Sequence, residues 1–195
     1  MHPVSGLILA GGRSQRMGQP KALLRLGGNT IIERVVGVAA GVCREVLLVS
    51  NEPGAYARLG LPVVTDRFLG RGPLAGIHAG LLAATWDRSL VLACDLPFLE
   101  APLLRGLLEA SCGFDVAVPV VRGYPEPLVG VYSRDCLPAV EEVLSLSERP
   151  KVTDFFSRVR VCYVPEAEVA KWTDVRKAFF NINTPADLAR AGLWA

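Results

Sequence analysis

Short apolar runs recur along the chain, and most of them lack the alternating polar residues of a half-exposed strand. Uninterrupted runs of this kind are typical of strands that are buried on both faces of a sheet. The sequence therefore predicts a sheet covered on both sides. The predicted strands are Gly6–Ala10, Val46–Ser50, Val63–Thr65, Leu90–Ala93, Val116–Val121 and Leu128–Tyr132.

Helix signals lie between and after these strands. Thr30 and Glu33 match a capping box at the start of an apolar stripe with helical spacing. A second helix is predicted over Pro73–Thr85 and a third over Pro102–Ser111, each beginning near a proline. The segment Thr184–Ala191 has a cap residue and a proline at its start, which predicts a short final helix.

The alternation of strands and helices predicts a three-layer α/β/α, Rossmann-like domain with a mainly parallel central sheet. A chain of 195 residues suits a single domain over residues 1–195. Ligands of such sheets bind beyond the carboxyl ends of the strands, so the loops after Ala10 and Cys94 are expected to share one cleft. The segment after Arg122 is predicted to form a hairpin-like wall for a second substrate.

Charge and cysteine content narrow the function classes. Lys and Arg number 21 against 19 Asp and Glu, a balance that excludes nucleic acid or an anionic membrane as the main partner. The five cysteines are widely spaced and include no CxxC pair, as expected for reduced thiols in the cytoplasm. No apolar window approaches the ~20 residues of a membrane span, so no anchor or signal segment is predicted.

The loop after the first strand carries the strongest functional signal. Glycines at Gly11, Gly12 and Gly18 alternate with the cations Arg13, Arg16 and Lys21, a combination that predicts a phosphate site. The loop fits neither a Walker motif nor a dinucleotide fingerprint. The structural alternative is a glycine turn with solvated arginines.

The pattern L-A-G-G-x-S-x-R-M-G-x-x-K over 9–21 resembles the signature of molybdenum cofactor guanylyltransferases, within the wider class of sugar-nucleotide-pyrophosphorylase-like nucleotidyltransferases. The resemblance implies a nucleotidyltransferase fold and a triphosphate held by this loop. It assigns Leu9, Ala10, Gly11 and Gly12 to the nucleoside, Arg13 and Lys21 to neutralising the phosphates, and Arg16 to a lesser part in the same role.

A second motif, Cys94-Asp95-Leu96-Pro97, follows an apolar strand and is similar to the family's C-D-x-P. Mg²⁺ prefers oxygen ligands and is commonly held by one or two carboxylates with substrate phosphates. The resemblance assigns Asp95 to the metal, with Arg13 and Lys21 as the other catalytic residues. The alternative is a helix-capping or turn aspartate.

Two further polar residues follow strands. Asp66 at a strand end, followed by the G-P-L-A-G segment over 72–76, resembles a motif of the family. A carboxylate accepts the N1–H and amine donors that guanine has and adenine lacks, so Asp66 is a candidate for reading the base. Asn51 matches an asparagine that the family uses near the nucleotide. Both residue types also occur in simple turns.

Two other segments bear on the second substrate. Asn181-Ile182-Asn183-Thr184-Pro185 resembles the family's near-terminal motif and is interpreted as a helix cap bordering the cleft. Glu126 departs from the pattern, because relatives commonly carry Gln or His there. An acid near a phosphorylated pterin repels the phosphate unless it points away or meets a cation such as Arg122.

The resemblance implies Mg²⁺-dependent transfer of GMP from GTP to molybdopterin, or molybdenum cofactor, with release of pyrophosphate. Other cofactor-biosynthesis proteins are candidate partners. One alternative is a cytidylyltransferase acting on molybdopterin or another phosphorylated small molecule. An alternative of another class is a non-catalytic GTP-binding adaptor that delivers the cofactor.

Overall fold

The fold is described from a computed structural model that covers residues 3–11 and 20–194. Its strands are β1 (Ser5–Leu9), β2 (Arg25–Leu26), β3 (Asn29–Thr30), β4 (Glu45–Val49), β5 (Val63–Val64), β6 (Arg88–Ala93), β7 (Val116–Val121), β8 (Tyr124–Pro125), β9 (Val129–Ser133) and β10 (Val161–Val164). Its helices are α1 (Ile31–Ala40), α2 (Pro73–Ala83), α3 (Ala101–Ala110), α4 (Leu137–Leu146), α5 (Glu166–Val169), α6 (Val175–Ala178) and α7 (Pro185–Ala191).

Within the described ranges, eight strands form one mixed, mostly parallel sheet in the order β10-β7-β9-β6-β1-β4-β5, with β8 paired to β7. Strand β1 lies in parallel between β4 and β6, and β9 is antiparallel to both β6 and β7. The remaining strands β2 and β3 form a separate short hairpin. The predicted, mainly parallel sheet is confirmed, with one antiparallel strand in its interior.

Two apolar layers cover the sheet. One contains α1 and α3, which contribute Ile32, Val35, Leu104 and Leu107 to a core that includes Ile8 of β1. The other contains α2 and α4, and its core includes Leu7 of the same strand. Consecutive residues of β1 thus point to opposite faces, as the pleat of a strand requires. The three-layer α/β/α arrangement is confirmed.

Several predicted element boundaries agree with the structure. Thr30 accepts a hydrogen bond from the backbone N–H of Glu33, whose side chain accepts one from the backbone N–H of Thr30. The same reciprocal pair joins Thr184 and Asp187 at the start of α7. Helix α2 ends at Ala83, two residues before the predicted Thr85, because Ala84 adopts extended backbone angles.

Helices α2 and α4 are joined through a buried histidine. His78 is 3% exposed, and its Nε2 lies 3.0 Å from a carboxylate oxygen of Glu141 on α4. The ring of Phe68 packs edge-on against the imidazole at 5.2 Å between centroids. These contacts give His78 a structural role where the two helices meet.

None of the helices in the described part of the chain has the length and apolar character needed to cross a bilayer.

Strand β9 has space for no side chain at Gly130. A Cβ placed there lies 2.9 Å from the carbonyl oxygen of Ala117 and 2.8 Å from a methyl group of Val118. We predict that Gly130→Ala lowers the free energy of unfolding by about 1–3 kcal/mol, because the backbone of β7 must shift. Urea denaturation measures this loss.

Gly37→Ala is the matched control, since Gly37 lies on the exposed side of α1 and a Cβ there meets nothing within 4 Å. This variant is expected to gain about 0.4–1 kcal/mol from reduced freedom of the unfolded chain. Equal effects of the two substitutions would contradict the packing argument.

Candidate functional site

The carboxyl ends of four neighbouring parallel strands form one edge of the sheet. Leu9, the last residue of β1, is level with Val49 of β4 and with Ala93 of β6. The chain continues from this level through hydrogen bonds between the backbone N–H of Ala10 and the Val49 carbonyl, and between the N–H of Cys94 and the Leu9 carbonyl. The residues that follow these strands therefore begin at one height in one cleft.

The structure describes part of the predicted phosphate loop. Leu9 is half-buried, Ala10 is buried and Gly11 is exposed at the point where the chain leaves the sheet. Gly12, Arg13 and Arg16 lie outside the described residues. The predicted contacts of Gly12 with the nucleoside, and of the two arginines with phosphate, therefore stay predictions. Lys21 begins a short 3-10 helix and is half-buried.

Lys21 is held by a residue from the far end of the chain. Its Nζ donates a hydrogen bond of 2.7 Å to the Asn183 side-chain oxygen. One residue earlier, the backbone N–H of Ile182 donates to the carbonyl oxygen of Asp95 at 3.2 Å. The segment before α7 thus contacts both the lysine and the aspartate that the sequence assigned to the site.

Asp95 is a carboxylate with little solvent around it. Burial raises its pKa above the ordinary value, while its own backbone N–H, the charge of Lys21 and a hydrogen bond with the Asn181 side chain act in the opposite direction. A desolvated carboxylate of this kind gains free energy when a cation approaches. The neighbouring thiol of Cys94 has its pKa raised to about 12 by burial, which keeps it neutral.

An aromatic cluster fixes the segment that contains Asn181 and Asn183. The ring of Trp194 packs edge-on against Phe98 at 5.6 Å and against Phe180 at 5.0 Å between centroids. Phe98 lies three residues after Asp95, and Phe180 lies one residue before Asn181. The C-terminal tryptophan therefore packs against both of the chain segments that meet at Asp95.

Sequence reasoning placed the segment from Asn181 to Pro185 at the border of the cleft but gave its asparagines no role. A repeated asparagine before a helix cap is explained equally well by the cap itself. The contacts with Lys21 and Asp95 join positions far apart in the chain, so these contacts are visible only in the folded structure.

Asn51 and Asp66 form a reciprocal pair at the other side of the cleft. The Asn51 amide nitrogen donates to Asp66 Oδ2 at 2.8 Å, and the Asp66 backbone N–H donates to the Asn51 side-chain oxygen at 3.1 Å. Among the described residues no donor reaches the other carboxylate oxygen, Oδ1, although that atom is buried. The Asp66 carboxylate is thus held in one orientation, and its Oδ1 can accept a further hydrogen bond.

The glycines of α2 serve packing against the sheet. A Cβ at Gly80 lies 2.7 Å from a methyl group of Leu7, and one at Gly76 lies 3.5 Å from a methyl group of Leu9. At these two positions α2 therefore packs directly against strand β1. Gly72, at the start of the helix, has φ +69, which favours glycine.

The carboxylate oxygens of Asp95 are suitable ligands for a divalent cation. In residues 3–11 and 20–194, no group of three or more His, Cys, Asp and Glu is arranged to hold a metal ion. One carboxylate at a strand end fits Mg²⁺, which keeps several waters and takes further ligands from substrate phosphates. It does not fit a closed site of four protein ligands, such as structural zinc.

Comparison with known proteins agrees with this geometry. Residues 6–161 match the family described as MobA-like NTP transferase domain. A protein of Pelotomaculum thermopropionicum named probable molybdenum cofactor guanylyltransferase is 47% identical over 195 residues, covering 100% of this chain and 95% of the relative.

Solved structures have the same fold. Molybdopterin-guanine dinucleotide biosynthesis protein A from Archaeoglobus fulgidus has a TM-score of 0.82 and 29% identity, covering 97% of each chain. The 2-C-methyl-D-erythritol 4-phosphate cytidylyltransferase from Thermus thermophilus has a TM-score of 0.74 and 25% identity, covering 98% of each chain. The chain is therefore a nucleotidyltransferase and belongs to the molybdenum cofactor guanylyltransferase family.

Proposed function

We propose that residues 1–195 act as one nucleotidyltransferase domain that transfers GMP from GTP to the terminal phosphate of molybdopterin, releasing pyrophosphate. The observation that carries this proposal is the convergence of Lys21 and Asp95 on the segment 181–183, beside the carboxyl end of β1. The names of the relatives indicate molybdopterin as the acceptor, and the residues at the cleft are suited to binding a triphosphate.

The reaction needs positioning and charge neutralisation more than covalent help from the protein. An oxygen of the acceptor phosphate forms a bond to the α-phosphorus of GTP, and the bond from that phosphorus to the bridging oxygen of the β-phosphate breaks. The acceptor phosphate is already ionised near neutral pH, so no residue must remove a proton. This agrees with the packing role of His78 and with the neutral thiol of Cys94.

Each site residue has a part in this reaction. Lys21, held by Asn183, neutralises the phosphates, and Arg13 and Arg16 supply further positive charge to the same loop. Asp95 holds Mg²⁺, which when bound supplies positive charge to the reacting phosphates. Leu9, Ala10, Gly11 and Gly12 lie against the nucleoside.

The central test is formation of the product. The protein is incubated with GTP, Mg²⁺ and molybdopterin, and the guanine dinucleotide is detected by mass alongside pyrophosphate. Asp95→Asn is expected to reduce transfer by about 10²–10³-fold or more, because the charge that faces the cation is lost. Unchanged thermal unfolding of the variant shows that the fold is intact.

Parallel reactions with CTP and ATP separate the alternatives. A clear preference for CTP would replace the guanylyl assignment with a cytidylyl one. Tight binding of GTP without any product would favour the non-catalytic adaptor. Full activity of Asp95→Asn would contradict the role given to that carboxylate.

Base selection is assigned to Asp66, positioned by Asn51. We predict that Asp66→Ala lowers kcat/KM for GTP by about tenfold to a hundredfold, because guanine loses a charged acceptor for its N1–H and amine. The rate with ATP is expected to change little, since adenine lacks this donor pair. Steady-state kinetics with both nucleotides measure the GTP to ATP ratio.

Asn51→Ala serves as the companion variant, expected to shift the same ratio in the same direction by a smaller factor. It removes the donor to Oδ2 but leaves the carboxylate in place. If the ratio stays constant in Asp66→Ala, another group reads the base.

The ionisation of Asp95 is expected to depend on Lys21. Since burial raises the pKa of Asp95 and the lysine charge lowers it, Lys21→Met is predicted to raise this pKa further. Carbon NMR titration of the metal-free protein measures it. Lys171→Met, which removes an exposed lysine of a local ion pair, is the control and should leave the Asp95 titration unchanged.

The sign of the effect on stability follows from the same shift. A carboxyl whose pKa in the folded protein lies above that in the unfolded chain binds protons more readily when folded. The contribution of Asp95 to stability is therefore greatest at low pH and falls as pH rises through its folded pKa. A lower Asp95 pKa in Lys21→Met would contradict this account.

A further inference from the structure

Glu126 is an acidic residue at the cleft that the reaction described above leaves without a role. It follows β8 and precedes β9, whose residue Val129 pairs with Leu92 near the carboxyl end of β6. The next residue but one, Leu128, accepts a hydrogen bond of 2.8 Å from the Ala93 N–H. Glu126 therefore lies in a turn at the same edge of the sheet as Asp95.

The turn that contains Glu126 is held by backbone and side-chain contacts. Its own N–H donates to the Pro119 carbonyl at 2.9 Å, and its carbonyl accepts from the Val129 N–H at 3.1 Å. The fully buried Tyr132 donates its hydroxyl hydrogen to the Pro127 carbonyl at 2.6 Å. A turn fixed at several points presents its side chain in a defined position.

The Glu126 carboxyl is half-buried and lacks a close partner in the described part of the chain. Burial raises its pKa, and the charge of Arg122 acts in the opposite direction. No hydrogen bond joins its carboxylate to any residue among 3–11 and 20–194. A partly desolvated acceptor of this kind gains most from a ligand that offers it N–H donors.

The order of strands places Glu126 opposite Asp66. Reading along the edge, Glu126 precedes β9, Asp95 follows β6, the phosphate loop follows β1, Asn51 follows β4 and Asp66 follows β5. Adjacent strands lie about 4.8 Å apart, so four strand spacings separate the two outer carboxylates by roughly 19 Å. Asp95, which is assigned to the metal, and the end of β1, where the predicted phosphate loop begins, lie between them.

The hydrogen-bond donors of the proposed acceptor suit a second carboxylate at this end of the cleft. The pyrimidine ring of a pterin presents an N–H and an adjacent amine, which is the same donor pair that guanine presents. A carboxylate accepts both donors in parallel. In a product with guanine at one end, pterin at the other and phosphates between, the two heterocycles each require such an acceptor.

We infer that Glu126 is a specificity-determining residue of the acceptor site, where its carboxylate binds the N–H and amine edge of the pterin. This inference rests on the proposed function, since it needs a pterin as acceptor. The terminal phosphate of the acceptor is directed away from Glu126 toward Asp95 and Lys21. The expected repulsion between this acid and a phosphorylated pterin then does not arise.

The test compares the substrates one at a time. Glu126→Ala is expected to raise KM for molybdopterin by about tenfold to a hundredfold, the loss typical of hydrogen bonds to a charged group. KM for GTP and the Mg²⁺ concentration for half-maximal rate are expected to stay within about twofold of the wild type. Glu126→Gln, which retains one acceptor oxygen, should give a smaller rise in KM for molybdopterin than Glu126→Ala.

Glu168→Ala is the matched control, because Glu168 is an exposed residue of α5 whose carboxylate accepts a hydrogen bond from the side chain of Lys171, three residues further along the chain. It should leave all three quantities unchanged. Unaltered KM for GTP in the Glu126 variants, with unaltered thermal unfolding, shows that they fold.

Each contrary outcome has its own meaning. Wild-type protein that forms no dinucleotide overturns the proposed function itself. Wild-type protein that forms it, with unchanged KM for molybdopterin in Glu126→Ala, overturns the role of Glu126 alone. A raised Mg²⁺ requirement in place of a raised KM would make Glu126 a metal ligand and would equally reject the inference.

Discussion

The parallel hydrogen bonding of β1 on both of its edges is the constraint on which the cleft depends. Leu9 is level with Val49 on one side and with Ala93 on the other. A slip of one residue in either ladder would move a loop by about 3.3 Å and turn the side chains of that strand to the opposite face. Such a slip would also remove Leu7 from its close packing against Gly80 of α2, so the packing of the layers disfavours it.

The segment 181–183 holds together site residues that come from distant parts of the chain. Lys21 and Asn183 are 162 residues apart in sequence, yet their side chains share a hydrogen bond at the cleft. Asp95 is desolvated, and a carboxylate in that condition is costly unless cations and donors surround it. The packing of Trp194 against Phe98 and Phe180 provides the apolar contact that keeps these polar partners together.

Much of the fold was predictable because local and tertiary signals agree. The apolar runs predicted β1, β4, β6 and β7 to within two residues, and capping chemistry located the starts of α1 and α7. Helix α4 and strand β10 were not predicted. The strand β10 is short and only partly buried, with Tyr163 49% exposed, so its apolar run is weak.

The candidate site was predictable only in part. Asp66 and Asp95 follow predicted strands, so their positions in the sequence identify them as candidates. The contacts of Asn181 and Asn183 depend on long-range packing instead. The partnership of Asn51 and Asp66 likewise requires β4 and β5 to be neighbours. The single-domain organisation and the phosphate contacts of Arg13 and Arg16 stay predictions.

The order of the strands also bears on how two similar heterocycles would be kept apart. Under the proposed function both substrates offer an N–H and amine edge, so a carboxylate alone cannot distinguish them. The distinction must come from what each heterocycle is attached to. GTP brings three phosphates, which the predicted cationic loop after β1 would attract, and β1 is two strands from β5 and two from β9. The two carboxylates themselves also differ, because the reciprocal bonds of Asn51 fix Asp66 before any ligand binds, whereas Glu126 has no such side-chain partner among the described residues.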